Sequence, residues 1–154
     1  MEYGSIEREI HVDASPEVVF EVISTPAHIR EWWNGAETDV EATPGVAGEL
    51  AWGRDTEEPH IVPLTVVDAQ PPRLFSFRWD YDPVEGPTQT NSLLVTFELV
   101  PAGNGTLIRL TESGFRERQW EAAVLEAAYQ DHVNGWDVFI PRLGEYVTRL
   151  ASTP

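Results

Sequence analysis

The sequence has no cysteine, which excludes disulfides, zinc sites with thiolate ligands and a cysteine nucleophile. It also has no lysine, and its ten arginines stand against 26 aspartates and glutamates, giving a formal net charge of −16. Such a charge argues against partners that require basic patches, namely nucleic acid and anionic membrane surfaces. No apolar run approaches the roughly 20 residues that span a bilayer, and the N-terminus lacks the features of a signal peptide. We therefore predict a cytoplasmic protein without a membrane span.

The last helical stretch, His132 to Leu150, carries the clearest pattern in the chain. Its apolar residues recur at steps of three and four, which places them on one face of a helix: Val133, Trp136, Ile140, Leu143, Val147 and Leu150. Burying these six side chains contributes on the order of 10 kcal/mol of gross transfer free energy. Pro141 lies inside this helix, where a missing backbone hydrogen bond predicts a bend. The segment from Glu117 to Ala128 is either a separate short helix or the first turns of this one.

The rest of the chain predicts a sheet that packs around this helix. Residues 6–12 alternate as a strand, Ser15-Pro16 begins a helix that ends at Ser24, and Thr25-Pro26 begins a second one that ends at Trp32-Trp33. From Asn34 onward, turns rich in proline and glycine separate alternating strands. With 154 residues and 42% apolar composition, we predict a single domain over residues 1–154, with about seven strands.

This order of elements is the helix-grip arrangement, an α+β fold. Five stretches in order are similar to the bacterial single-domain relatives of the Hsp90 ATPase activator C-terminal domain, a group within the START/Bet v 1-like (SRPBCC) superfamily. They are Ala14 to Phe20, Trp32-Trp33, Val66 to Leu74, Leu110 to Phe115, and Gly135-Trp136. The resemblance implies a curved antiparallel sheet folded around the last helix, with a cavity between them. In relatives this cavity holds lipids, steroids, polyketides or plant hormones, and a minority of relatives catalyse a reaction there.

The aromatic residues are the first candidates for the lining of such a cavity. Several lie on inward phases of strands or on the apolar stripe of the last helix, and the candidate ligand-binding set includes Trp32, Trp33, Trp52, Phe77, Trp79, Phe97, Trp136 and Ile140. Phe139 belongs to the same aromatic group. The alternative is that these residues only fill the core, because aromatic side chains bury large areas in any domain.

Two charged residues share the phase of apolar neighbours and are predicted to face inward. Arg8 shares its phase with Ile6 and Ile10, and Glu112 shares its phase with Ile108 and Leu110. Because an unpaired buried charge is costly, each is a candidate polar anchor for a ligand, and Glu112 is a weak candidate for a general base. The alternatives are an ion pair between Arg8 and Glu112, or a bulge that turns either residue to solvent.

The four histidines show no metal-ligand spacing, although His60 is expected near the mouth of the cavity. We predict no metal and no cofactor. The main hypothesis is a carrier or sensor of a small apolar molecule such as a lipid or polyketide, acting as a monomer or homodimer. One alternative is an enzyme of the polyketide cyclase, aromatase or hydrolase-like type that uses Glu112 and Arg8. A second alternative is a chaperone-associated interaction module.

Overall fold

In the computed structural model, which describes residues 4–152, the chain forms one antiparallel sheet of seven strands. The strands are β1 (Ser5–Val12), β2 (Glu37–Thr38), β3 (Ala47–Trp52), β4 (His60–Gln70), β5 (Leu74–Trp79), β6 (Leu93–Ala102) and β7 (Gly105–Ser113). Their order across the sheet is β1-β7-β6-β5-β4-β3-β2. Each strand from β2 to β7 therefore pairs with its neighbours in sequence, and β1 joins the sheet beside β7. The predicted α+β helix-grip fold is confirmed.

Two short helices follow β1, and both have the bounds that the sequence predicted. The backbone N–H of Val18 donates to Ser15 Oγ at 3.3 Å, so Ser15 caps α1 (Pro16–Ser24) and Pro16 occupies the first turn, where its missing N–H costs nothing. Thr25 precedes α2 (Pro26–Trp32) without a side-chain capping bond. These helices bring Trp32 and Trp33, both buried, against one end of the sheet.

The C-terminal helix α3 (Ala122–Ser152) is longer than its apolar stripe predicted, because residues 122–131 form its first turns. This outcome answers the open question about the segment from Glu117 to Ala128. Only Arg116–Arg118 forms a separate short 3-10 helix. The helix continues through Pro141, which lies on its exposed side, and the bend there stays a prediction. None of the helices in the described part of the chain is long and apolar enough to cross a membrane.

The core lies between α1, α2, α3 and the inner face of the sheet. Alternating residues of β5 and β6 meet across the strands in register, with Phe75 opposite Phe97 and Phe77 opposite Val95, and all four are at most 3% exposed. From α3, the buried members of the predicted stripe are Trp136, Ile140, Leu143 and Val147, while Val133 and Leu150 are partly buried against the same core. The stripe therefore packs as its spacing predicted.

The strand β7 begins at Gly105, directly after the turn that joins it to β6. A side chain is excluded at this position, since a Cβ would lie 2.0 Å from the carbonyl oxygen of Val12 on β1. Glycine thus allows the hairpin between β6 and β7 to approach the end of β1 closely. The two-residue strand β2 was not predicted, because two residues are too few to show an alternation.

Candidate functional site

A cavity of about 490 Å³ opens between the N-terminal half of α3 and the far end of the sheet. This volume lies within the range of about 300–1,000 Å³ that is typical of small-molecule sites. Residues from the end of α2, from β3, β4 and β5, from the segment before α3 and from α3 itself line it: Trp33, Asn34, Trp52, His60, Val62, Trp79, Asp80, Trp120, Ala128, Asp131, His132, Gly135, Trp136 and Phe139.

Trp33 is the centre of the aromatic wall of this cavity. Its ring lies 5.4 Å from the rings of both Trp79 and Trp136 and 5.7 Å from that of Trp52, measured between centroids. On its other side it stacks on Trp32 at 5.1 Å with the ring planes almost parallel. Offset and edge contacts of this kind are favourable for aromatic rings, so the wall is a rigid apolar surface.

The local sequence explains why these rings meet. Trp79 is the last residue of β5 and keeps the inward phase of Phe75 and Phe77. On α3, His132 and Trp136 are four residues apart, which places them one turn apart on the same face of the helix. The end of a strand and one turn of a helix therefore face each other across the cavity.

Behind this wall lies the carboxylate of Glu112, which is completely buried. Its Oε2 accepts a hydrogen bond from Trp79 Nε1 at 2.8 Å, and its Oε1 accepts one from Trp136 Nε1 at 2.8 Å. His132 Nδ1 lies 2.8 Å from Oε1 and 3.0 Å from Oε2. Within the described residues, no buried side-chain nitrogen or oxygen lacks a hydrogen-bond partner, so the inward charge is fully compensated.

Glu112 fixes the orientation of His132. The two indole groups can only donate, so the carboxylate acts as an acceptor and assigns a proton to His132 Nδ1. Edge contacts with Trp79 at 5.7 Å and Phe115 at 5.5 Å hold the imidazole ring from its sides. The ring is 17% exposed, and its Nε2 forms no hydrogen bond with any described residue. The other ring nitrogen is therefore available to the cavity.

Burial disfavours the charged imidazolium of His132 and acts to lower its pKa. The hydrogen bond that His132 Nδ1 donates to Glu112 and the negative charge of that carboxylate raise the pKa, and the charges of Asp80 and Asp131 raise it further. The result is a pKa above the ordinary value for histidine. When His132 is protonated, it forms a buried ion pair with Glu112, and the two indole N–H groups are additional donors to the carboxylate.

The structure brings some of the predicted ligand-binding residues to the cavity and leaves others in the core. Four of them line it: Trp33, Trp52, Trp79 and Trp136. The other four apolar candidates are buried but do not line the cavity: Trp32, Phe77, Phe97 and Ile140. Glu112 is inward, as its phase predicted, but lies behind the wall with both oxygens bonded. His60 lies at the cavity, where it was expected.

Arg8 corrects the expectation of a second inward charge. Its side chain is 35% exposed and does not line the cavity. Arg8 Nε lies 2.8 Å from Asp137 Oδ1 on α3, so its partner is Asp137 and not Glu112. Because β1 is an edge strand, its inward phase leads at this point to the rim of the helix and not to the interior.

Sequence reasoning missed His132 as a site residue. The sequence shows no metal-ligand spacing around His132, and among residues 4–152 no group of three histidines, aspartates or glutamates is arranged to hold a metal ion. A usable signal was present, because His132 lies one turn before Trp136 on the inward face of the helix. Asn34, Asp80, Trp120 and Asp131 were also missed, since loops and helix rims show no inward phase.

Comparisons with known proteins agree with this architecture. The family model described as "Activator of Hsp90 ATPase homolog 1-like protein" matches residues 13–148. A search of curated proteins found no match. Among solved structures, protein MLL2253 from Mesorhizobium loti has a TM-score of 0.74 at 22% identity, covering 94% of this chain and 97% of its own.

Two further solved structures have the same fold. Protein BH1534 from Bacillus halodurans has a TM-score of 0.68 at 26% identity, with 93% of this chain and 96% of its own covered. The Aha1 dimer from Colwellia psychrerythraea has a TM-score of 0.65 at 18% identity, with 94% and 96% covered. The family match extends over both short helices, strands β2 to β7 and most of α3. The chain therefore belongs to the family of activator of Hsp90 ATPase homolog 1-like proteins.

Proposed function

We propose that the chain binds a small, largely apolar molecule in the aromatic cavity, as a carrier or a sensor. The observation that carries this proposal is the cavity of about 490 Å³ with six aromatic side chains in its wall, Trp33, Trp52, Trp79, Trp120, Trp136 and Phe139. A core in which aromatic residues only fill space would leave no volume of this size. Apolar surface of this extent favours a ligand that buries its own apolar surface.

The hydrogen bonds of the wall support an apolar ligand. The indole N–H groups of Trp79 and Trp136 donate to Glu112, and that of Trp52 donates to the carbonyl oxygen of Trp33 at 2.9 Å. The indole N–H groups of these three tryptophans are therefore already bonded to protein acceptors. Only the apolar surfaces of their rings are left to contact a molecule in the cavity.

The proposed function can be tested by filling the cavity without disturbing the fold. Gly135 lies in α3 and lines the cavity, and the nearest atoms to a Cβ built there belong to the Phe139 ring at 3.8 Å. Gly135→Leu should therefore place its side chain into the cavity and also improve helix propensity. The matched control is Ala127→Leu, which adds a leucine on an exposed position of the same helix.

The probe is N-phenyl-1-naphthylamine, a neutral dye whose fluorescence rises in apolar surroundings. We expect the wild-type protein and Ala127→Leu to bind it with the same affinity, and Gly135→Leu to bind it at least about tenfold more weakly because its site is occupied. Native mass spectrometry of the purified protein should reveal any apolar molecule that copurifies. A wild-type protein that carries no ligand and binds no dye would refute the proposal, as would equal binding by Gly135→Leu.

The alternative of an enzyme that uses Glu112 and Arg8 receives less support. Both oxygens of Glu112 are occupied by hydrogen bonds, its side chain is completely buried, and Arg8 pairs with Asp137 at the rim of α3. The Aha1 dimer motivates the proposal of a homodimer, and light scattering of the purified protein tests it. A pulldown with a bacterial Hsp90 homologue tests the interaction-module hypothesis.

A further inference from the structure

Nε2 of His132 is a polar nitrogen at the aromatic cavity whose ring is held in a fixed orientation. We propose that His132 Nε2 is the polar anchor of the cavity and donates a hydrogen bond to the oxygen of a neutral apolar ligand, such as a ketone, aldehyde or ester. This inference rests on the proposed function, because it requires that the cavity holds a ligand. It assigns Glu112 the role of a positioning residue that acts through His132.

The hydrogen-bond network is arranged so that only the outer nitrogen of His132 is free. Nδ1 is bound to both oxygens of Glu112, while the same oxygens hold the indole groups of Trp79 and Trp136. The carboxylate therefore lies on the far side of the ring from the cavity. A ring held in this way keeps the direction of its Nε2–H bond, so a ligand oxygen pays little entropy for the contact.

The charges around His132 favour a neutral ligand over an anion. Glu112 on β7 neutralises the imidazolium, and two further carboxylates line the cavity, Asp80 after β5 and Asp131 on α3. Neither of these two carboxylates forms an ion pair within residues 4–152. His60 on β4 lines the same cavity. The nearest opposing charge is Arg118, which lies over the Trp120 ring at 4.4 Å and offsets only one of the two carboxylates. A carboxylate ligand would thus meet a net negative surrounding, whereas a carbonyl oxygen accepts the hydrogen bond without that repulsion.

The protonation of His132 gives the anchor a pH dependence. The same charges that face it, from Glu112, Asp80 and Asp131, hold its pKa above the ordinary value, so the imidazolium with its Nε2–H persists to a higher pH than in an unperturbed histidine. Above that pKa, the proton stays on Nδ1 and Nε2 becomes an acceptor. Binding of a carbonyl ligand should therefore weaken as the pH rises through the pKa of His132, while binding of a hydrocarbon should not.

Three probes of similar size separate these contributions: 2-acetylnaphthalene, which carries a ketone, 2-ethylnaphthalene, which has no acceptor, and the anion 2-naphthoate. Quenching of tryptophan fluorescence measures the affinity of each. In the wild-type protein at about pH 6, below the ordinary pKa of histidine of about 6.5, we expect the ketone to bind about tenfold more tightly than the hydrocarbon, the advantage of one hydrogen bond from a charged donor. The naphthoate should bind more weakly than the ketone.

Two variants of His132 distinguish the anchor from a structural role. In His132→Asn, the side-chain amide can replace Nδ1 as the donor to Glu112 while nothing replaces Nε2, so the ketone advantage should disappear. In His132→Gln, the longer amide can reach the position of Nε2, so part of the advantage should return. The control is His11→Asn, a change at an exposed histidine that bonds Ala102 O at 2.9 Å. Thermal unfolding followed by circular dichroism verifies that each variant is folded.

The outcomes separate this inference from the function on which it rests. A tenfold ketone advantage that is lost in His132→Asn and kept in His11→Asn supports the anchor. Equal binding of ketone and hydrocarbon, an advantage that survives in His132→Asn, or tighter binding of 2-naphthoate than of the ketone overturns the anchor but leaves the apolar cavity in place. If neither the hydrocarbon nor the ketone binds to the wild-type protein, both the proposed function and the proposed anchor are refuted.

Discussion

Replacing Glu112 with glutamine should be among the most destabilising conservative changes in this protein. The carboxylate offers two acceptor oxygens, and three N–H groups converge on them, from Trp79, Trp136 and His132. The amide of glutamine keeps one oxygen and turns the other position into a donor, so at least one indole N–H then faces an N–H group. In addition, the imidazolium loses the charge that compensates its burial.

The size of the effect follows from these two losses. A buried donor without a partner costs about 1–3 kcal/mol, and breaking a buried ion pair by removing one member costs about 3–5 kcal/mol. Because the two costs overlap, we expect Glu112→Gln to lower the free energy of unfolding by about 3–5 kcal/mol, or the melting temperature by about 10 °C for a chain of this length. This is a large share of the about 5–15 kcal/mol that stabilises a typical domain.

Guanidinium unfolding, followed by tryptophan fluorescence and circular dichroism, measures this loss. Glu98→Gln is the matched control, because Glu98 is exposed on the neighbouring strand β6.

The pH dependence of stability is a second readout. Folded His132 holds its proton to a higher pH than an unfolded histidine, so wild-type stability should fall as the pH rises from about 6.5 through the raised pKa. In Glu112→Gln this decline should vanish. A loss below about 1 kcal/mol, with the pKa of His132 unchanged by NMR titration, would refute the reasoning.

Three further changes test other parts of the structure. Ser15→Ala should lower the free energy of unfolding by about 1 kcal/mol, whereas Thr25→Ala should have almost no effect, because only Ser15 caps its helix with a side chain; paired thermal melts compare them. Gly105→Ala should cost about 1–3 kcal/mol in guanidinium unfolding, since its Cβ would collide with Val12 O. Arg8→Met should cost less than about 1 kcal/mol in the same assay, because its ion pair is half exposed.

The parts of the fold that sequence predicted well are those in which local chemistry and packing agree. Helix α1 begins after Ser15 and ends before Thr25-Pro26, and both boundaries are visible because capping residues and prolines have restricted backbone roles. The start of α3 could not be predicted, because local chemistry and packing do not agree there. Val124 is 48% exposed there, so this part of the helix shows no clear apolar stripe.

The candidate site was predictable only in part. Inward phase identified Glu112 and the tryptophans of β3, β5 and α3, because phase is a property of a single strand or helix. For Arg8 the same phase leads to Asp137 on α3, where its side chain stays 35% exposed, although Ile6 and Val12 in the same phase of β1 are buried. The contact between Glu112 on β7 and His132 on α3 depends on how the sheet curves around the helix, which no local pattern encodes.

The buried pair is itself an argument for a site at this position. Buried ion pairs are a weak source of stability, and well-packed apolar residues of similar volume often serve as well. Such a replacement here would have to remove Glu112, His132 and the indole N–H groups of Trp79 and Trp136 together, because any one of them left alone would be an unpaired buried polar group. An apolar cluster would fill the same space but would present no oriented nitrogen to the cavity. Such a network is what the proposed contact between His132 and a ligand requires, whereas packing of the core alone does not require it.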